Sequence, residues 1–308
     1  MSAIVEFLAV SPGFFVGSCL VFGLLIGSFL NVVIYRLPII LERDWRAESL
    51  EILGGDPCAG PTPPDAPAPA PQARFNLVVP RSACPACKAP ITALQNIPVL
   101  SYLFLKGRCA GCGVRISPRY PAIEALTGAL SAAVAWKFGF GWPALAALVL
   151  TWSLIPLAFI DIDTQFLPDI ITLPLLWLGL LLSLWAPLGS PGAPIPQTPS
   201  GAIIGAVAGY LSLWSVYYLF LWITKKEGLG FGDFKLFAVF GAWLGWKMLL
   251  PLVIFAAAVG AVVGIAILAL RRDERIAFGP FLAAGGWLML MFGQQVLTVY
   301  WNWTSPTP

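Results

Sequence analysis

The sequence predicts an all-α polytopic membrane protein, with about eight transmembrane helices and a small zinc-stabilised cytoplasmic domain between the first and second. Three observations predict it. The 308 residues are 58% hydrophobic and 11% charged, where an ordinary soluble domain carries roughly a quarter charged residues. Several apolar runs approach the ~20 residues that cross a bilayer as helix. Two Cys-x-x-Cys pairs stand inside the one long polar stretch, at a spacing that can close on a metal ion.

The elements follow in chain order. The first span covers about 14–35. Its basic residue, Arg36, follows it, whereas a cleaved signal peptide carries its charge first. The span therefore reads as retained, in a segment 1–37. The polar stretch behind it, through residue 118, is the cytoplasmic domain 38–118. Within it, 57–71 is a Pro/Ala-rich spacer with too little apolar surface to pack. Seven more spans, near 120–139, 143–160, 168–187, 201–223, 234–249, 251–270 and 277–299, make the membrane domain 119–308. "GWKMLLP" separates the sixth and seventh only thinly, and 188–200 is a Pro-rich external loop.

Charge sets the orientation. Arg36, Arg43, Arg46, Arg74, Arg81, Lys88, Lys106, Arg108, Arg115 and Arg119 fill the polar stretch; Lys225, Lys226, Lys235, Arg271, Arg272 and Arg275 fall on the same side. The other side keeps only Lys137 and Lys247. Basic loops mark the cytoplasmic face, so both termini are expected outside and the basic loops inside.

The chain has no histidine. A Ser–His dyad and an HExxH metalloprotease are impossible. Acid–base chemistry must come from Asp, Glu, Lys, Tyr or Cys, and zinc must sit on cysteine or carboxylate. Cys84, Cys87, Cys109 and Cys112 can close tetrahedrally on one Zn²⁺ in a structural site. Two disulfides are the competing reading, disfavoured by a reducing cytosol. Cys19 reads as a packed apolar residue. Cys58 lies in the spacer.

Ionisable groups at membrane depth are functional candidates by default. Asp161, Asp163 and Asp169 cluster in "FIDIDTQFLPD"; Asp233 stands in "GLGFGDFK"; Glu124 stands in "RYPAIE". Asp161 closes the third span, where the helix dipole disfavours an acid. Asp169 follows Pro168 and suits a helix N-terminus. Asp163 fits a turn or cap. Asp161 is thus the better catalyst of the cluster. Asp233 fits an N-cap too, but a cap needs no glycines at 228, 230 and 232; these read as clearance for an extended substrate. Asp161 and Asp233 sit at one predicted rim on different helices. A facing pair would hold one proton between them, one acid and one base.

These motifs resemble the GxGD intramembrane aspartyl proteases, and more closely the bacterial prepilin leader peptidases. The resemblance is carried by "GSFLNVVIYRLP", by Glu42, Arg43 and Trp45, and by "CPAC", "NIPVLSYLFLKGRC" and "RYPAIE". "LPDIITLPLLWLGL", "GFGDFK" and "FGPFLA" continue it almost end to end. It implies cleavage of the leader from type IV prepilins and type II secretion pseudopilins at the cytoplasmic face of the bacterial inner membrane. It also implies N-methylation of the new N-terminus with S-adenosylmethionine. By it, Asp161 and Asp233 are catalytic; Cys84, Cys87, Cys109 and Cys112 hold Zn²⁺; Gly230, Gly232, Lys235 and Asp169 support the motif or the substrate. Glu42 and Gly107 match positions linked to methyl transfer, and no GxGxxG for a dinucleotide-type fold is present. Glu124 suits a structural role as well as a functional one. Two other classes remain open at this point. A transporter would place its acids deep in the spans and show an internal repeat. A zinc-stabilised secretion scaffold would tolerate loss of both aspartates.

Overall fold

The structure, a computed structural model, describes residues 6, 8–53, 75–92, 94–185, 198–226, 228, 230–270 and 277–304. The whole spacer with Cys58, residues 188–197 of the Pro-rich loop, Arg74, Arg271, Arg272 and Arg275 lie outside the described residues.

Among the described residues, eight long helices fall on the eight expected apolar runs. They are α1 (Pro12–Ile52), α3 (Arg119–Phe138), α4 (Trp142–Thr164), α5 (Asp169–Trp185), α6 (Pro199–Thr224), α7 (Phe231–Leu244), α8 (Leu249–Leu270) and α9 (Gly279–Thr304). A five-residue helix, α2 (Leu100–Phe104), lies in the polar stretch. Among the described residues, five stretches are long and apolar enough to cross a membrane: α1, α4, α6, α9 and Trp246–Ile267, which covers most of α8. The other three depart from that standard for visible reasons. α3 carries Glu124 and Lys137. α5 has 17 residues. α7 has only 14, about 21 Å of helix against ~30 Å of hydrocarbon. It is sheathed on nearly all sides: Phe234, Leu236, Val239, Phe240, Ala242 and Trp243 have no exposed surface. α7 is the axis of the bundle, not its wall.

α1 does not stop at the polar boundary. It runs 41 residues, about 60 Å, and its second half projects past the apolar section. Residues 39–53 are rich in strong helix formers, so the end of the apolar run ends the burial and not the helix.

Lipid removes the hydrophobic drive between helices, so packing and polar contacts hold a bundle. Small residues do this here. At the α6–α7 crossing Gly205 and Gly241 face each other with no room for a Cβ on either. Gly23, Gly27 and Gly128 play the same part between α1 and α3. Trp243 threads between α7 and α5, donating its indole N–H to the Leu175 carbonyl at 2.8 Å. Trp243→Phe removes that bond, worth about 1 kcal/mol, and also the five-membered ring packed against Gly179, which leaves a cavity. Thermal unfolding in detergent should fall by at least about 2–4 °C; an unchanged midpoint would mean neither the bond nor the ring carries stability.

Candidate active site

One end of the bundle gathers the chemistry. α4 ends there, α5, α7 and α9 begin there, and α1 passes it. Gln165 takes a left-handed conformation and caps α4 with its N–H on the Asp161 carbonyl, so the chain turns directly into residues 166–168 and α5. Trp45, on the projecting half of α1, packs its ring against Phe166 at 5.1 Å.

The acids in this region divide into two kinds. Asp163 receives both Arg119 guanidinium nitrogens, at 2.8 and 2.6 Å. Asp169 receives Lys235 Nζ at 2.8 and 2.6 Å on its two oxygens. Both pairs are partly exposed. Asp163 was expected in a turn or cap; it is helical, and its carboxylate anchors α4 to the start of α3. Lys235 and Asp169 tie the first turns of α7 and α5 together.

Asp161 and Asp233 are the other kind. They are 5% and 6% exposed, neither forms an ion pair among the described residues, and each has a buried oxygen without a hydrogen-bond partner: Asp161 Oδ2 and Asp233 Oδ1. Burying a carboxylate unpaired costs several kcal/mol, and local packing does not require it. Asp233 serves as a cap with one oxygen only. Its Oδ2 accepts the Gly230 N–H at 3.2 Å, leaving Oδ1 turned inward. The backbone N–H of Gly279, first residue of α9, faces the Asp161 carboxyl. A Cβ there would collide with it.

The glycines serve a different neighbour than expected. The space beside Gly232 holds Leu167, whose Cβ lies 2.7 Å from where a Gly232 Cβ would stand. The space beside Gly228 holds the Phe220 ring, at 2.9 Å. Clearance at these two positions admits the protein's own side chains. Leu167 also lies 3.3 Å from a Gly279 Cβ position, so it stands between the glycines that flank the two aspartates.

The cysteines form a second centre. Residues 83–90 and 108–115 make matching knuckles, each closed by one antiparallel bridge, Ala83 with Pro90 and Arg108 with Arg115. The residue after each second cysteine is left-handed: Lys88 at φ 59° and Gly113 at φ 72°. All four sulfurs lie within 4.8 Å of one another, with Cys84–Cys112 at 3.8 Å and Cys87–Cys109 at 4.0 Å. A disulfide needs about 2.05 Å. Four sulfurs at about 2.3 Å from a tetrahedral ion stand about 3.8 Å apart, so the cluster could hold a metal ion. Its proton balance agrees. The N–H groups of Cys87 and Ala86 draw the Cys84 thiol down to about 6. Cys112 stands at about 11: the Val114 N–H lowers it, but desolvation and the three neighbouring sulfurs raise it more. Four thiolates cannot gather without a cation among them.

Glu124, an ambiguous residue in the sequence, accepts the Val99 N–H at 2.8 Å and supports the polar stretch from within α3. Arg36, buried in α1, donates to the carbonyls of Asn76 and Pro80 at 2.9 and 2.7 Å. Gly107 lines a cavity of about 540 Å³ with Tyr102, Lys106, Arg108, Arg115, Ile116, Ser117 and Pro118. Glu42 is exposed on α1 and is not among the residues lining it.

The bacterial peptidase A24 N-terminal domain matches residues 21–138, and the type IV leader peptidase family matches residues 148–265. A protein of Aeromonas salmonicida named prepilin leader peptidase/N-methyltransferase is 48% identical over 306 residues, 97% of this chain and 98% of that one.

The chain belongs to the type IV leader peptidase family.

Proteins of the same name from Stutzerimonas stutzeri and Pseudomonas aeruginosa are 47% and 46% identical, over 96% of this chain and 97% of each relative. No solved structure matches. Membership in the leader peptidase family is what the motifs led one to expect. The residues those motifs did not single out are Arg119, Leu167 and Gly279. Each stood inside a motif, "RYPAIE", "DIDTQFLPD" and "FGPFLA"; only contact across helices gives them a part.

Proposed function

We propose that this chain cleaves the leader from type IV prepilins and type II secretion pseudopilins, using Asp161 and Asp233 as an aspartyl dyad. The observation that carries the assignment is the division of the acids. Asp163 and Asp169 are each bound by a cation, whereas Asp161 and Asp233 are buried, lie beside glycines that share Leu167 as a neighbour, and each keep an oxygen with no partner among the described residues. One carboxylate takes a proton from water as it attacks the scissile carbonyl. The other, protonated, donates toward the carbonyl oxygen. A transporter reading loses ground, because both acids lie within a turn or so of a helix end.

The rest of the proposal concerns the membrane and the second activity. All eight long helices lie in the bacterial inner membrane, with the basic end and the dyad at the cytoplasmic face. Zn²⁺ is held by Cys84, Cys87, Cys109 and Cys112 in a closed structural site. The relatives' shared name supports transfer of a methyl group from S-adenosylmethionine to the new N-terminus, with Glu42 and Gly107 as its assigned positions.

Incubation of the purified chain with a prepilin peptide tests the cleavage, read by mass spectrometry beside Asp161→Asn and Asp233→Asn. Labelled S-adenosylmethionine with a pre-cleaved peptide tests the transfer. Asp169→Asn is the informative contrast. It removes a partly exposed ion pair worth at most about 1 kcal/mol, so at least about a tenth of the wild-type cleavage rate should survive. A loss as deep as that of the Asp161 variant would move Asp169 into the catalytic machinery.

A further inference from the structure

We infer that residues 94–104 are seated in the membrane interface, so that the four-cysteine unit rests on the bilayer through an inserted apolar edge. The inference rests on the reading of α1 and α3 as membrane helices. Depth is the first observation. Ser28 Oγ lies 3.4 Å from Asn96 Oδ1, and the Val99 N–H meets Glu124 of α3 at 2.8 Å. Ser28 stands eight residues before Arg36 on α1, about 12 Å along the axis. Glu124 stands five residues into α3 from Arg119, about 7 Å along it. The polar chain therefore turns back alongside the apolar helices, below the level of the arginines at the rim.

Exposure is the second. Leu94 is 77% exposed, Leu100 53%, Leu103 64% and Phe104 83%. With Ile97, also exposed, five large apolar side chains on eleven residues would otherwise stand in water beside the bilayer edge. Placed in the interface, they behave as the buried face of a monotopic segment.

Charge is the third. Lys106, Arg108 and Arg115 follow at the level of Ser117 and Pro118, just before α3, and line one cavity with no acid among its lining residues. None has an ion-pair partner among the described residues. Arg108 and Arg115 face each other across an antiparallel bridge, where like charges repel. A lipid phosphate in the cavity relieves that repulsion, and the order of apolar edge then basic rim is the order of acyl chain then headgroup.

The test uses the full chain in phosphatidylethanolamine–phosphatidylglycerol vesicles, with a benzophenone amino acid in place of Phe104 and, separately, of Leu103. Val262 on α8, 69% exposed, is the control for the bilayer reading itself; Ile52, 84% exposed at the far end of α1, is the control for water. After illumination, acyl-chain adducts at 103 and 104 should match those at 262 and exceed those at 52 by about tenfold. Adducts at 262 with none above background at 103 and 104 would overturn the inference while leaving the membrane fold intact. Cross-links from 104 to a second copy of the chain would also overturn it, in favour of a protein interface. Loss of adducts at 262 would instead strike the membrane reading.

Discussion

Asp161→Asn and Asp233→Asn should each slow cleavage of a prepilin peptide by about a hundredfold to ten-thousandfold, the range over which a positioned acid or base accelerates proton transfer. Asparagine keeps the size of the side chain and removes its proton chemistry. Asp233 makes the cleaner case, because its capping oxygen can be kept: the amide oxygen of Asn still accepts the Gly230 N–H that Asp233 Oδ2 accepts now. The loss then falls on the inward oxygen. Each variant should keep the wild-type elution profile and helical content, since neither carboxyl holds an ion pair among the described residues. Transfer of a labelled methyl group to a pre-cleaved peptide should continue in both. Either variant cleaving within about tenfold of wild type, a barrier change of only about 1.4 kcal/mol, would sink the dyad. Loss of both activities with loss of the elution peak would point to collapse of α7 instead.

Cys84→Ser should take the chain from one bound zinc to none. Three thiolates and a hydroxyl make a poor tetrahedral site, and in small metal-folded domains the metal supplies about 10–16 kcal/mol of apparent folding free energy. That is more than the knuckles can replace. Their internal support is two single bridges and a few turn hydrogen bonds, and the described knuckle residues apart from Cys84 are mostly exposed. Residues 75–118 should become readily cut by protease, while α4–α9 stay protected. The segment should not leave the helices altogether, because Arg36 and Glu124 hold it at points away from the sulfurs. Metal analysis of the purified variant decides the matter. Stoichiometric zinc in Cys84→Ser would exclude the four-sulfur site.

The helices were legible because each is a local property. An apolar run of the right length is a helix in lipid whatever its neighbours do, and all eight runs became helices within a few residues of their expected bounds, apart from the far end of α1. Cys84 through Cys112 were legible for a related reason: a Cys-x-x-Cys turn is local, and two of them need only meet. The projecting half of α1 was not legible, since the signal followed was hydrophobicity, and hydrophobicity ends at the rim where the helix does not. The glycines of "GLGFGDFK" suggest clearance for a substrate, but Leu167 and Phe220 occupy the space beside Gly232 and Gly228, which depends on residues more than sixty and less than ten positions away.

Composition and motif order alone dictated the chemistry available. With no histidine, acid–base chemistry is left to Asp, Glu, Lys, Tyr or Cys, and helix-end position favours Asp161 over Asp169 as a candidate. Which acids are already spoken for is a matter of packing between helices. Arg119 meets Asp163, and Lys235 meets Asp169, across gaps of 44 and 66 residues. Those neutralisations set Asp161 and Asp233 apart as buried and, among the described residues, without an ion-pair partner. Charge pairing depends on distance in space, and the order of residues along the chain does not contain it.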